Sequence, residues 1–241
     1  MPPAFAAGEN ENAELKDAAC REAQAENESE IGGARAFKRS LDHPDSRYYV
    51  INDYFNMESG GGLHILSRFA TAQQNTEYTC GCTAALMVLN YYGIHKYNEK
   101  EIGRIIEVDP KKGTSVEGLL KLFEAAGLKT DYHADTKPRF DSVESFEKYI
   151  VEKIDRGIPI MVDWLDWNGH WQVIIGIDIC KNESPFDDVL ILADPYDITD
   201  HCQDGYLIYP LGRFFDMWRE GGCAGKQVPY EQPFVTAFPP E

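Results

Sequence analysis

Over residues 83–92, Leu86, Met87, Leu89, Asn90 and Tyr91 follow a helical repeat backed by the small Ala84 and Ala85, and Gly93 stands at a natural stop. So little of this run is polar that the helix is expected to be largely buried. A second helix is expected over 99–108. Thr114 and Ser115, three and two residues ahead of Glu117, cap a third that runs to Ala126 and ends at Gly127, with Leu119, Leu120, Leu122 and Phe123 as its core face. A fourth over 143–156 turns Phe146, Ile150 and Ile154 inward. Residues 80–156 are therefore expected to be mostly helical.

After Gly157 the period changes. IPIMVDW at 158–164, HWQVIIGID at 170–178, VLILADP at 189–195 and YLIYPL at 206–211 are β-rich runs separated by polar turns, and the NESPFDD composition of 182–188 fits a hairpin loop. YYVI at 48–51 predicts a further short strand before the loop at Gly60, Gly61 and Gly62. Helices first and strands second predict an α+β fold, a helical lobe on an antiparallel sheet lobe, with the helical part at about 80–156 and the sheet part at about 157–235. Residues 1–33 carry eight carboxylates against Lys16 and Arg21 and almost no large apolar side chains, so they read as a solvated, flexible acidic arm before a domain spanning 34–241.

Composition narrows the function classes. The formal net charge is −17, and no basic stretch exists to meet phosphates, which argues against nucleic acid as a partner. No run approaches the roughly 20 apolar residues of a membrane span. The start MPPAFAAG lacks a charged region and a full apolar core, so a secretory signal is absent or already removed, and the compartment stays open. Cysteines at 20, 80, 82, 180, 202 and 223 are too sparse for a disulfide scaffold. Cys80 and Cys82 are one residue apart with no second thiol pair, the six histidines lack ligand-like spacing, and no twelve-residue calcium loop occurs. Neither a metal nor a cofactor is expected.

Three residues stand out for chemistry. Cys80 lies at the start of the buried helix, where unpaired N–H groups and the helix dipole favour thiolate, and Gly81 beside it would let a substrate approach. His170 opens an apolar strand, an expensive place for imidazole unless it is paired or faces a cleft. Asp194 ends the neighbouring strand. Cysteine, histidine and aspartate so placed can converge at the seam of two lobes as a thiol-protease set; equally, Cys80 can be a space-filling residue and His170 with Asp194 a structural hydrogen bond. Cys82, rotated about 200° from Cys80 on a helix, is expected to be structural.

QNTEYTCGCTAALMVLNYYG at 74–93 resembles the active-site signature of the bacteriocin-processing cysteine peptidases, the thirty-ninth cysteine-peptidase family with its stand-alone relatives. GHWQVIIGID at 169–178 and ILADPYD at 191–197 resemble that family's histidine and aspartate segments, in the same order. The resemblance implies a papain-like fold, peptide or protein substrates and hydrolysis through Cys80, with His170 as base, Asp194 orienting it and Gln74, six residues before the cysteine, donating to the oxyanion. Gln73 is the neighbouring alternative. The classical substrates are leaders cut after two glycines. Familiar members are transporter domains, but this chain has neither spans nor a glycine-lysine phosphate loop, so a free-standing peptidase is expected.

On the substrate side, Trp164, Asp166, Trp167, Gly169 and Trp171 form with Asp163 an aromatic, acidic, exposed-looking loop before His170, either a binding wall or a plain loop. Gly32 and Gly33, after an acidic segment, superficially resemble a double-glycine junction and raise self-processing, although the apolar anchors of such leaders are missing upstream. Two other functions fit the same residues: a papain-like acyltransferase or amidase, and an inactive peptide-binding domain.

Overall fold

Seven strands in one sheet form the backbone of the molecule. The computed structural model describes residues 32–37, 42–181, 184–218 and 230–240. The strands are β1 (Leu63–Ile65), β2 (Lys129–Asp135), β3 (Ile160–Trp164), β4 (His170–Asp178), β5 (Val189–Ala193), β6 (Tyr206–Pro210) and β7 (Glu231–Phe238), and the helices are α1 (Cys80–Tyr91), α2 (Glu99–Ile106), α3 (Val116–Ala125), α4 (Val143–Asp155) and α5 (Leu211–Met217). Their order across the sheet is β2-β7-β3-β4-β5-β6, every pairing antiparallel, and β1 pairs with the end of β4. The molecule is thus α+β, a helical lobe packed on an antiparallel sheet.

The four expected helices form with minor shifts. α1 begins three residues earlier than its apolar repeat, at Cys80 itself, and is buried from Cys80 to Leu89. α2 has a reciprocal cap, in which Asn98 accepts from the Glu101 backbone N–H and Glu101 accepts from that of Asn98. α3 is capped by Ser115, which accepts from the Gly118 N–H. α4 is capped by Ser142 and buries Phe146, Ile150 and Ile154.

Several elements depart from expectation. No strand forms at 48–51, where Tyr48 and Val50 are 81% and 82% exposed; with no apolar partner to cover it, the segment remains surface chain. The 80–156 block is not wholly helical, because it contains β2, a half-exposed outer strand whose KTDYHAD sequence gives no apolar run. The interior strand β7 and the short helix α5 were not anticipated. Behind the sheet Phe146, Phe214, Trp218, Phe140 and Phe234 form one aromatic cluster, with the Phe146 and Trp218 rings 4.5 Å apart. Among the described residues no helix is long and apolar enough to cross a membrane. The expected arm, apart from Gly32 and Gly33, lies outside the described residues.

Candidate active site

α1 points its amino terminus at the sheet end where β4 begins and β5 stops. Cys80 is its first residue and is 8% exposed, so its backbone N–H belongs to the first turn, which has no intrahelical acceptor. His170 is the first residue of β4 and Asp194 directly follows β5; both are buried. β4 and β5 are hydrogen-bonded neighbours, and His170 Nε2 lies 2.7 Å from Asp194 Oδ1. The Cys80 side chain is near enough to the same imidazole to favour its charged form.

The electrostatics of His170 are a contest. Burial disfavours the imidazolium, but the charge of Asp194, its hydrogen bond and the Cys80 side chain outweigh it and hold the imidazole well above its ordinary pKa. Asp194 is fixed in turn: Oδ1 accepts from the Tyr196 N–H at 2.8 Å, its own N–H donates to Gly205 O, and its carbonyl accepts from Gln73 Nε2 at 2.9 Å. Asp197, fully buried on the same loop, accepts from the Gly205 N–H at 2.8 Å; burial and then the Asp194 charge push its carboxyl up to about 8.

The two glutamines have different surroundings. Gln73 is an amide clamp: Nε2 donates to Asp194 O while Oε1 accepts from the Asp197 N–H at 3.0 Å. Gln74 is 1% exposed, donates from Nε2 to Thr76 O at 2.6 Å and leaves Oε1 without a protein partner. One of its two amide hydrogens is therefore still uncommitted. Its backbone is held on both sides, the N–H by Pro195 O at 2.9 Å and the carbonyl by the Arg35 N–H at 3.3 Å. Cys82 is fully buried, its sulfur packed near Gly103, and burial together with Glu99 and Cys80 raises its thiol pKa, as suits a structural residue.

The proposed substrate side looks different in three dimensions. Trp164 is 1% exposed, donates from Nε1 to Gln172 Oε1 at 2.7 Å and packs on Tyr209 and Phe214; it belongs to the core and offers no surface. Trp171 is also buried, its Nε1 on Thr114 O at 3.0 Å. Trp167 is 59% exposed and its ring meets that of Tyr196. Asp166 is half-buried, and burial raises its carboxyl pKa while His170 opposes that rise. Gly169 leads into β4 at φ +124°, a conformation that favours glycine. Gly81 leaves no room for a substrate, because a Cβ there would stand 2.5 Å from Thr114 Cβ; glycine is needed so that α1 can pass the 114–115 turn. A cavity of about 250 Å³ between that turn and the sheet is lined by Thr114, Val116, Asp163, Trp171 and Pro233.

The model of the Peptidase_C39 like family matches residues 67–226, a span that contains Cys80, His170, Asp194 and both glutamines. No curated protein matches the chain. Among solved structures, the peptidase domain of Streptococcus ComA, a bi-functional ABC transporter of a quorum-sensing pathway, is 16% identical, with 71% of this chain and 99% of that one covered at a TM-score of 0.47. A double-glycine-motif protease from an AMS/PCAT transporter, solved with its leader peptide, is 17% identical, with 67% and 88% covered at a TM-score of 0.41.

Proposed function

This chain belongs to the Peptidase_C39 like family, and from that premise we propose that it hydrolyses peptide bonds through an acyl-enzyme on Cys80. The observation that carries the proposal is the buried His170–Asp194 pair, 2.7 Å apart, whose imidazole charge the Cys80 side chain also favours.

In this mechanism His170 takes the thiol proton, and the resulting imidazolium faces both the Asp194 carboxylate and the thiolate. Sulfur attacks the scissile carbonyl carbon, and the carbonyl electron pair moves to oxygen. The Cys80 N–H and the uncommitted N–H of Gln74 donate to that oxyanion, each worth about 3–4 kcal/mol by comparison with other oxyanion donors. The C–N bond then breaks, with the imidazolium giving its proton to the departing amine. Water, losing a proton to His170, attacks the thioester and releases the acid, which restores the thiol. Asp194 fixes the ring and stabilises its charge throughout.

The substrate class implied by the family resemblance is a peptide with two glycines before the cut. The test is mass spectrometry of such peptides incubated with the protein. Cleavage is expected with the wild type and with Cys82→Ala, and at least about 10³-fold less with Cys80→Ala. Cleavage surviving in Cys80→Ala overturns the assignment. If added amines capture the acyl group faster than water does, the reaction is acyl transfer on the same residues.

A further inference from the structure

The short turn at 32–37 packs against the 74–76 segment. The Gly32 N–H donates to Asn75 O at 2.7 Å, and Gly33 sits at φ +50°, where a Cβ would stand 2.7 Å from Thr76 O. Ala34, the first residue of the 3-10 turn Ala34–Phe37, is fully buried, and its carbonyl accepts from Gln203 Nε2 at 2.8 Å. The same Gln203 nitrogen also donates to Asp197 O at 3.2 Å, which ties the turn to the loop carrying Asp194.

Arg35 makes the central contacts. Its backbone N–H donates to Gln74 O, and its guanidinium Nη1 donates to Asn75 Oδ1. Asn75 is gripped from the other side by the buried Glu99, which accepts from the Asn75 backbone N–H at 3.0 Å and from Nδ2 at 2.6 Å. The Arg35 and Glu99 charges are within Coulombic reach of each other across Asn75. Asn75 is thus clamped between a guanidinium and a carboxylate immediately after Gln74, and the Gln74 amide is anchored on Thr76, the residue that follows.

We propose that Arg35 is a positioning residue for the oxyanion side of the site: through Asn75 it fixes the 74–76 segment and so aims the Gln74 amide. This rests on the reading that Gln74 serves the oxyanion. The role explains why a cation follows a glycine pair of which Gly33 leaves no room for a side chain. Gly32 and Gly33 let the turn come close enough for the guanidinium to reach Asn75.

The test separates oxyanion binding from thiol reactivity. N-acetyl-glycyl-glycinal forms a hemithioacetal whose oxygen needs the oxyanion donors, whereas iodoacetamide alkylates sulfur without them. Arg35→Ala and Gln74→Ala are each expected to weaken aldehyde binding by about tenfold or more while Cys80 alkylation stays within about twofold. Arg35→Lys should recover part of the loss, and a thermal melt of each variant identifies unfolding. If Arg35→Ala does not fold, the comparison is made with Arg35→Lys and Asn75→Ala, which should weaken the aldehyde with alkylation unchanged. Loss in Gln74→Ala but wild-type aldehyde binding in folded Arg35 or Asn75 variants overturns the positioning role alone. A wild-type protein that is alkylated at Cys80 yet does not bind the aldehyde, or a Gln74→Ala without loss, overturns the oxyanion reading beneath it.

Discussion

At the scale of single residues, the proposed activity depends on the charge state of one imidazole. Burial opposes the His170 cation and Asp194 favours it, with the net result above the ordinary histidine range. The imidazolium that the proposed mechanism uses to protonate the leaving amine is therefore favoured and is lost on the alkaline side. Asp194→Asn removes the carboxylate charge that raises the pKa, so the alkaline limb of kcat/KM should move to lower pH. The rate itself should fall on the order of 10³-fold. A pH–rate profile checks both, and an unmoved alkaline limb separates Asp194 from His170. As candidates, Cys80, His170 and Asp194 are legible in the sequence from their places: a thiol at a buried helix start, an imidazole opening an apolar strand, a carboxylate closing another. Gln73 and Gln74 were not separable by residue type. The structure distinguishes them by partners, Gln73 spanning Asp194 and Asp197, Gln74 reaching Thr76. Trp164 could not be placed by composition, since an aromatic beside acidic residues fits a strand end in the core as well as an exposed loop.

At the scale of elements, the site is held by helices and strands whose stability comes from burial behind it. Phe146 on α4 is fully buried against Trp218 and Phe214, so Phe146→Ala should cost about 3–5 kcal/mol in a urea titration. Asn98→Ala removes one half of the α2 cap and should cost about 1 kcal/mol. If Phe146→Ala costs no more than the cap variant, the aromatic cluster does not hold the sheet as described. The helices and β3 to β6 were legible because their apolar positions repeat with clear periods. β2 was not, because an outer strand needs no continuous apolar face. β7 was concealed by Pro233, which removes a donor from an interior strand. It is tolerated there because β3 pairs only with Phe234, Val235 and Thr236, while the β2 pairing shifts register between His133 and Asp135, next to the proline.

At the scale of the whole molecule, the chain closes on itself. β7 is the last strand in sequence, yet it lies between β2 and β3, joining the strand of the helical block to those that carry the site. Deleting residues 231–241 should therefore unfold the protein as a unit, seen as loss of the cooperative melt by circular dichroism; a truncated protein with a wild-type melting transition would contradict this topology. The period change at Gly157 revealed the α+β class, but the sheet order depends on long-range pairing that no local pattern encodes.

The central claim, an activated Cys80 beside His170, is tested most directly by mapping iodoacetamide alkylation by mass spectrometry in the wild type and in His170→Ala at neutral pH. Among the other described thiols, burial raises Cys82, desolvation and then Asp188, Asp178 and Asp187 raise the exposed Cys180, and partial burial with nearby carboxylates pushes Cys202 up to about 12, so none of the three competes well. Cys80 should be labelled fastest in the wild type, and His170→Ala should slow that labelling at least about tenfold. Equal labelling rates at Cys80 in the two proteins, or a wild-type Cys80 that does not react, would contradict it.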